Sequence, residues 1–156
     1  MSIQLISISH KTAAHHIRER FAFNETAQVE ILEQLFSHSD IEECVIVATC
    51  NRTEVYTWCP DERREREIYE YAQTVLLRNA GIEDCEDIGN IFRFFGGRKA
   101  IAHLFNVACG LDSMVIGEDQ ILGQVKNAHR LAMVQRVCGT YHNTLFRYAV
   151  TAAKKV

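Results

Sequence analysis

Two apolar, β-branched runs, Ile41 to Ala48 and Val55 to Cys59, are separated only by the polar tract TCNRTE. A parallel crossover needs roughly a dozen residues or more, so strands this close must lie side by side and antiparallel. That pairing anchors a small sheet. Its first member ends in CVIVA, Cys44 to Ala48, which reads as a buried strand delivering its last residues to one sheet edge. Thr49 to Arg52 are then expected to leave the sheet; if the backbone stays extended for two more residues, Cys50 and Arg52 share a face, because strand side chains alternate. A thiol beside a fixed cation favours the thiolate, which is the nucleophile. Two ordinary readings stand beside this one. A free cysteine ending a core strand commonly serves packing, and Arg52 has a second available partner in Glu54.

The rest of the chain follows an α+β pattern. Ile3 to Ser9 (IQLISIS) predicts an opening strand, and the polar stretch His10 to Arg20 a short helix. Asn24 offers an N-cap for a helix over Glu25 to Ser37, where Val29, Ile31, Leu32, Leu35 and Phe36 recur at near-helical spacing. Pro60 and Asp61 mark the start of the next helix, which runs through Tyr69, Tyr71, Ala72, Val75 and Leu76 to a stop near Gly81. Ile91 to Phe95 predicts a strand broken by Gly96 and Gly97. From Arg98 a helix carries Ile101, Ala102, Leu104, Phe105 and Val107 toward the core. Two β-α-β halves on a small antiparallel sheet predict a ferredoxin-like sandwich with helices packed on it. The final segment, Tyr141 to Val156, is amphipathic and stops without a glycine or other C-cap. The chain is therefore expected to be cut within a helix, as one domain of a longer protein.

With 156 residues there is room for one well-buried domain. No apolar stretch approaches the roughly 20 residues that span a bilayer, and MSIQLISISHK lacks the regions of a signal peptide. A cytoplasmic protein without membrane contact is expected. The cysteines Cys44, Cys50, Cys59, Cys85, Cys109 and Cys138 contain no Cys-x-x-Cys, which argues against a zinc ribbon or thioredoxin motif and for reduced thiols. His10, His15, His16, His38, His129 and His142 show no metal-ligand spacing, so no metal site is expected. The net charge of -3 argues against gripping nucleic acid by bulk electrostatics, and any RNA contact would be local. Arg63, Arg64 and Arg66 alternate with Glu62, Glu65 and Glu67 as on a solvated helix face; Arg98 with Lys99 and Lys154 with Lys155 are smaller basic pairs.

A second dense signal is GLDSMVIGEDQILGQVK, Gly110 to Lys126. Glu118, Ile121, Leu122 and Val125 begin a helical pattern there, with Gly117 at its start and free backbone N–H groups facing whatever lies beyond. A capped helix after a polar turn would look the same. Taken with ATCNRTEVY at Ala48 to Tyr56, however, the stretch resembles the glutamyl-tRNA reductase family. So do SHKTA at Ser9 to Ala13, RERF at Arg18 to Phe21, and AIAHLFNVACGLDSM at Ala100 to Met114, all in the family's order. The chain departs from the family pattern where Ile8 precedes and AHH follows SHKTA, a place where a proline is common, and where Cys109 fills a small-residue position.

The resemblance covers the family's amino-terminal catalytic domain, here residues 1–140, with 141–156 beginning a connecting helix. It implies an NADPH-binding domain and a dimerisation domain beyond Val156, and hence a homodimer of the full enzyme. No Gly-x-Gly-x-x-Gly turn is present to hold NADPH in these residues. The resemblance further implies that the Cys50 thiolate attacks the ester of glutamyl-tRNA, releasing tRNA and leaving a glutamyl thioester. NADPH would reduce that thioester to glutamate-1-semialdehyde, the start of tetrapyrrole synthesis. Arg52 matches the residue facing the substrate carboxylate, which its planar fork suits. Thr49, Asn51, Ser113, Glu118, Asp119, Gln120 and Gln124 match the remaining substrate contacts. His103 matches a histidine that acts on the thiol or the oxyanion, although a single histidine in AIAHLF is also an ordinary core residue. The downstream aminomutase is an implied partner. Without its other domains the chain is expected to be a slow esterase on glutamyl-tRNA. Two other classes fit the residues alone: a docking module for tRNA or protein that would not need Cys50, and a redox-sensing thiol domain.

Overall fold

The computed structural model describes residues 2–83, 90–112 and 120–155. The chain begins with strand β1 (Ser2–Ser9), helix α1 (His15–Arg18), a 3₁₀ turn (Glu19–Phe21) and helix α2 (Glu25–Phe36). Strands β2 (Glu43–Ala48) and β3 (Arg52–Cys59) follow, then a 3₁₀ turn (Glu62–Arg64), helix α3 (Glu65–Asn79) and strand β4 (Arg93–Gly96). Helices α4 (Arg98–Ala108), α5 (Gln120–Val134) and α6 (Thr140–Ala153) complete the described chain. The sheet runs β2-β3-β1-β4 with every neighbouring pair antiparallel. This is the ferredoxin-like order expected from the strand and helix sequence.

Alternation across the strands assigns two faces. On one, Cys44 Sγ of β2 lies 3.7 Å from the Leu32 carbonyl of α2, and α2 and α3 pack together there. On the other, Tyr56 of β3 meets Phe146 of α6 edge-on at 5.6 Å, and α4 and α5 cover the remainder. Strand β3, inside the sheet and covered on both faces, has every residue buried. Polar residues on it must therefore find partners inside the protein.

The helix signals worked locally. Asn24 Oδ1 accepts the Ala27 N–H at 2.9 Å and starts α2. Asp61 accepts the Arg63 N–H at 3.0 Å and starts the 3₁₀ turn that leads into α3. Two strand limits differ from expectation. β3 begins at Arg52 rather than Val55, because its charged first turn pairs with Ser9 to Ser7 of β1. β4 begins at Arg93, since Ile91 and Phe92 are buried as core residues without joining the ladder. Helix α6 is part of this core, burying His142, Leu145, Phe146 and Ala149. Among the described residues no helix is long and apolar enough to cross a membrane.

Candidate active site

The turn joining β2 to β3 is organised by Thr49. Its N–H donates to the Arg52 carbonyl at 2.8 Å, and its Oγ1 accepts the N–H groups of Asn51 and Arg52 at 3.1 and 3.2 Å. The chain has left the sheet by Cys50, so strand alternation does not place its thiol on the face of Arg52, contrary to the extended-backbone expectation. Cys50 is instead exposed on the turn. Among the described residues it is the only exposed cysteine: Cys44 and Cys59 are buried, Cys109 and Cys138 half-buried. The cation at the turn is Arg18, whose guanidinium donates to the Cys50 carbonyl at 3.3 Å and to Asn51 Oδ1 at 3.4 Å. The His10 N–H reaches the Asn51 carbonyl at 3.0 Å, tying the Ser9–Ala13 segment to the same end of the sheet.

Arg52 points inward and is 2 % exposed. Its fork is already filled: one nitrogen lies 3.3 Å from Glu54 Oε2 and 2.9 Å from Asp112 Oδ2, and the other donates to the Asp112 carbonyl. Glu54 is fully buried and gathers Ser7 Oγ at 2.7 Å, Tyr56 Oη at 3.2 Å and His103 Nε2 at 2.5 Å. Burial alone would raise the Glu54 pKa, but the His103 hydrogen bond, the charges of His103 and Arg52, and the Ser7 hydroxyl hold it below the usual carboxylate range. Asp112 is likewise lowered: burial opposes ionisation, and the hydrogen bonds from Lys11 and Arg52 outweigh it. The buried Arg52 is thus paired with two carboxylates, Glu54 and Asp112, as a buried charge requires.

His103 is held by Glu54 through Nε2, yet it is not confined to the core. It stacks on Phe95 with centroids 5.1 Å apart and lines a cavity of about 170 Å³ together with Ser7, Ser9, Lys11, Arg93 and Asp112. Its Nδ1 has no hydrogen-bond partner among the described residues. A second cavity of about 190 Å³ lies at the outer edge of β2, where Gln124 meets Ala48, Gln28 and Arg130. Of the expected contacts, Thr49, Asn51, Arg52 and His103 thus gather at one sheet end and Gln124 borders it. Gln120 is exposed at the start of α5. Ser113, Glu118 and Asp119, with Gly117, lie outside the described residues. Sequence reasoning assigned no role to Lys11, Arg18, Arg93 or Asp112. Lys11 and Arg18 lie within SHKTA and RERF, whose dense polar residues were the available signal.

The fold and site define a ferredoxin-like α+β domain with an exposed thiol on a sheet-end turn and a small polar cavity lined by residues of β1, β4 and α4. Residues 6–156 match the family described as glutamyl-tRNA(Glu) reductase, N-terminal domain. The glutamyl-tRNA reductase of Shouchella clausii is 45% identical over 151 residues, covering 97% of this chain and 32% of that protein. That of Geobacillus thermodenitrificans is 44% identical over 155 residues, covering 99% and 33%. The solved glutamyl-tRNA reductase from Methanopyrus kandleri superposes with a TM-score of 0.74 at 28% identity, covering 98% of this chain and 33% of that one. The chain belongs to the glutamyl-tRNA reductase amino-terminal domain family, and it spans about a third of the length of these relatives.

Proposed function

We propose that this chain carries the acyl-transfer half of a glutamyl-tRNA reductase, and that Cys50 is its nucleophile. The observation that supports this best is that Cys50 is exposed on a braced turn while the other described thiols are withdrawn. In the proposed step Cys50 loses its proton, its sulfur attacks the ester carbonyl of glutamyl-tRNA, and the ribose oxygen leaves with a proton. The product is a glutamyl thioester. Glu54 orients the His103 imidazole through Nε2, which leaves Nδ1 for proton transfer at the cavity.

The cavity suits an anionic group, with Lys11 and Arg93 on its wall for a carboxylate. Arg52 is the proposed seat of the substrate's side-chain carboxylate, and Asp112 occupies that seat in this structure. Asp112 lies in a turn beyond α4, whereas Glu54 is fixed in the sheet, so Asp112 is the partner that a substrate carboxylate would replace. Thr49, Asn51 and Gln124 complete the contacts around the thiol.

Among the described residues, no turn is built to take the phosphates of a nicotinamide nucleotide. Between β4 and α4 the pair Gly96–Gly97 is the nearest thing to a phosphate turn, and the Glu65 carboxylate occupies the space beside Gly96. Reduction of the thioester is accordingly assigned to parts of the enzyme outside this chain, and with it the entry of the product into tetrapyrrole synthesis.

The test is to incubate the chain with glutamyl-tRNA labelled in glutamate, without a hydride donor, quench in acid, and map the acyl adduct by mass spectrometry. A glutamyl adduct on Cys50, lost in Cys50→Ser and kept in Cys109→Ser, is expected. Binding of tRNA without any adduct would replace this reading with a docking module.

A further inference from the structure

Far from Cys50 along β2, where that strand begins and α6 starts, three donors converge. The Glu43 carboxylate, Cys138 Sγ and the His142 imidazole each offer an atom, and these atoms lie within 4.8 Å of one another. His142 is 0% exposed, and neither of its ring nitrogens has a hydrogen-bond partner among the described residues. Its Nδ1 lies 3.4 Å from Glu43 Oε1, inside the cluster. A buried imidazole whose Nε2 has no hydrogen-bond partner and whose Nδ1 has only this long contact to a carboxylate is costly and calls for an account.

Glu43 has a structural duty, since its oxygens accept the N–H groups of Tyr141 at 3.1 Å and His142 at 2.8 Å at the start of α6. That duty uses one lone pair on each oxygen and leaves the others free. Cys138 donates its S–H to Asn143 Oδ1 at 3.2 Å, and the same oxygen pairs with His129 Nε2 at 2.7 Å. Asn143 would therefore keep a partner if the thiol proton left. Gly139 permits the close approach, because a Cβ there would sit 2.9 Å from Glu43 Oε2.

We propose that Glu43, Cys138 and His142 bind a divalent transition ion of the zinc class, joining the start of β2 to the start of α6. One carboxylate and one thiolate cancel the charge of a divalent ion, and the neutral imidazole completes the set, so the buried assembly is neutral. The sulfur and nitrogen donors select zinc-like ions over calcium or magnesium. On binding, the Cys138 S–H bond breaks, its proton passes to water and a sulfur–metal bond forms without change of oxidation state. Cys138 and His142 are four positions apart along the chain, but the third donor lies on strand β2, some 95 positions earlier, where spacing could not reveal it.

The test is to titrate the metal-free chain with Co²⁺ and follow the thiolate-to-cobalt charge-transfer band, then displace it with Zn²⁺. The band should appear in the wild type, persist in Cys50→Ser and Cys109→Ser, and vanish in Cys138→Ser and His142→Gln. Because a variant could lose the band by misfolding, alkylation of the wild type is mapped in parallel. Zn²⁺ should slow labelling of Cys138 on the order of tenfold or more, since only a free thiolate reacts. No band, a band that survives Cys138→Ser or is lost in Cys50→Ser, or labelling of Cys138 unaffected by Zn²⁺ would overturn the proposal.

Discussion

Replacing Glu54 by glutamine tests whether the buried charge row stabilises the fold. Three of the four donors around Glu54, from Ser7, His103 and Arg52, converge on Oε2, and Tyr56 alone faces Oε1. A glutamine can keep its carbonyl oxygen at the crowded position and turn its amide toward Tyr56, whose hydroxyl can rotate to accept. The substitution then removes charge and little else. Stripping one partner from a buried ion pair costs about 3–5 kcal/mol, and Asp112 still holds Arg52, so about 3 kcal/mol is expected. For a domain of this size that corresponds to a Tm lower by roughly 6–12 °C. The pH dependence has a definite sign. The folded Glu54 pKa lies below its unfolded value, so the wild type's advantage is fully present above about pH 4.3. It should shrink as the pH falls through the lower, folded pKa. Urea and thermal unfolding followed by circular dichroism, at neutral pH and across the acid range, would measure both. A variant within about 0.5 kcal/mol of wild type at neutral pH would refute the reasoning.

Two further outcomes are expected. His103→Asn should slow thioester formation at Cys50 by about 10²-fold or more if the imidazole moves the proton; single-turnover acylation, run on variant shown to be folded, reads this, and an unchanged rate with lowered stability would reduce His103 to a structural partner of Glu54. Asn24→Ala removes the side-chain acceptor of the Ala27 N–H and should cost about 1 kcal/mol in chemical denaturation without affecting acylation; a neutral result would mean that solvent serves that amide equally well.

What could be read in the sequence depended on how local the cause was. Asn24 and the apolar stripe behind it are neighbours along the chain, and α2 came out within a residue of its expected end. Arg52, Thr53 and Glu54 fall in the polar tract between two apolar runs, so the expected second strand opens only at Val55. In the structure these residues open β3, because β1 supplies Ser7 and Ser9 on one side and Asp112 and His103 arrive from some 50 to 60 positions away. No local window contains those partners. The opposite error occurred at Ile91 and Phe92, whose apolar side chains suggested a strand but fill the core ahead of an edge strand that is largely uncovered. The site was half legible. Cys50, Thr49, Asn51 and Arg52 are contiguous, and the turn gathers them. Lys11, Arg18 and Asp112 join only because antiparallel pairing of β1 with β3 brings distant loops to one end.

The polar row across β1 and β3 also decides how the strands align. Ser9 and Ser7 stand opposite Arg52 and Glu54 on the face turned toward α4 and α6. Shifting β3 by a single residue would turn both charges through the sheet. There they would meet the layer of α2 and α3, whose inward residues Ile31, Leu32, Leu35, Val75 and Leu76 offer neither charge nor side-chain acceptor. Apolar strands covered on both faces could slide with little change in burial, but an ionic row tolerates only one alignment. The row of Ser7, Ser9, Arg52 and Glu54, whose two serines line the cavity, therefore acts as a key for the sheet, and it holds the turn bearing Cys50 in one place.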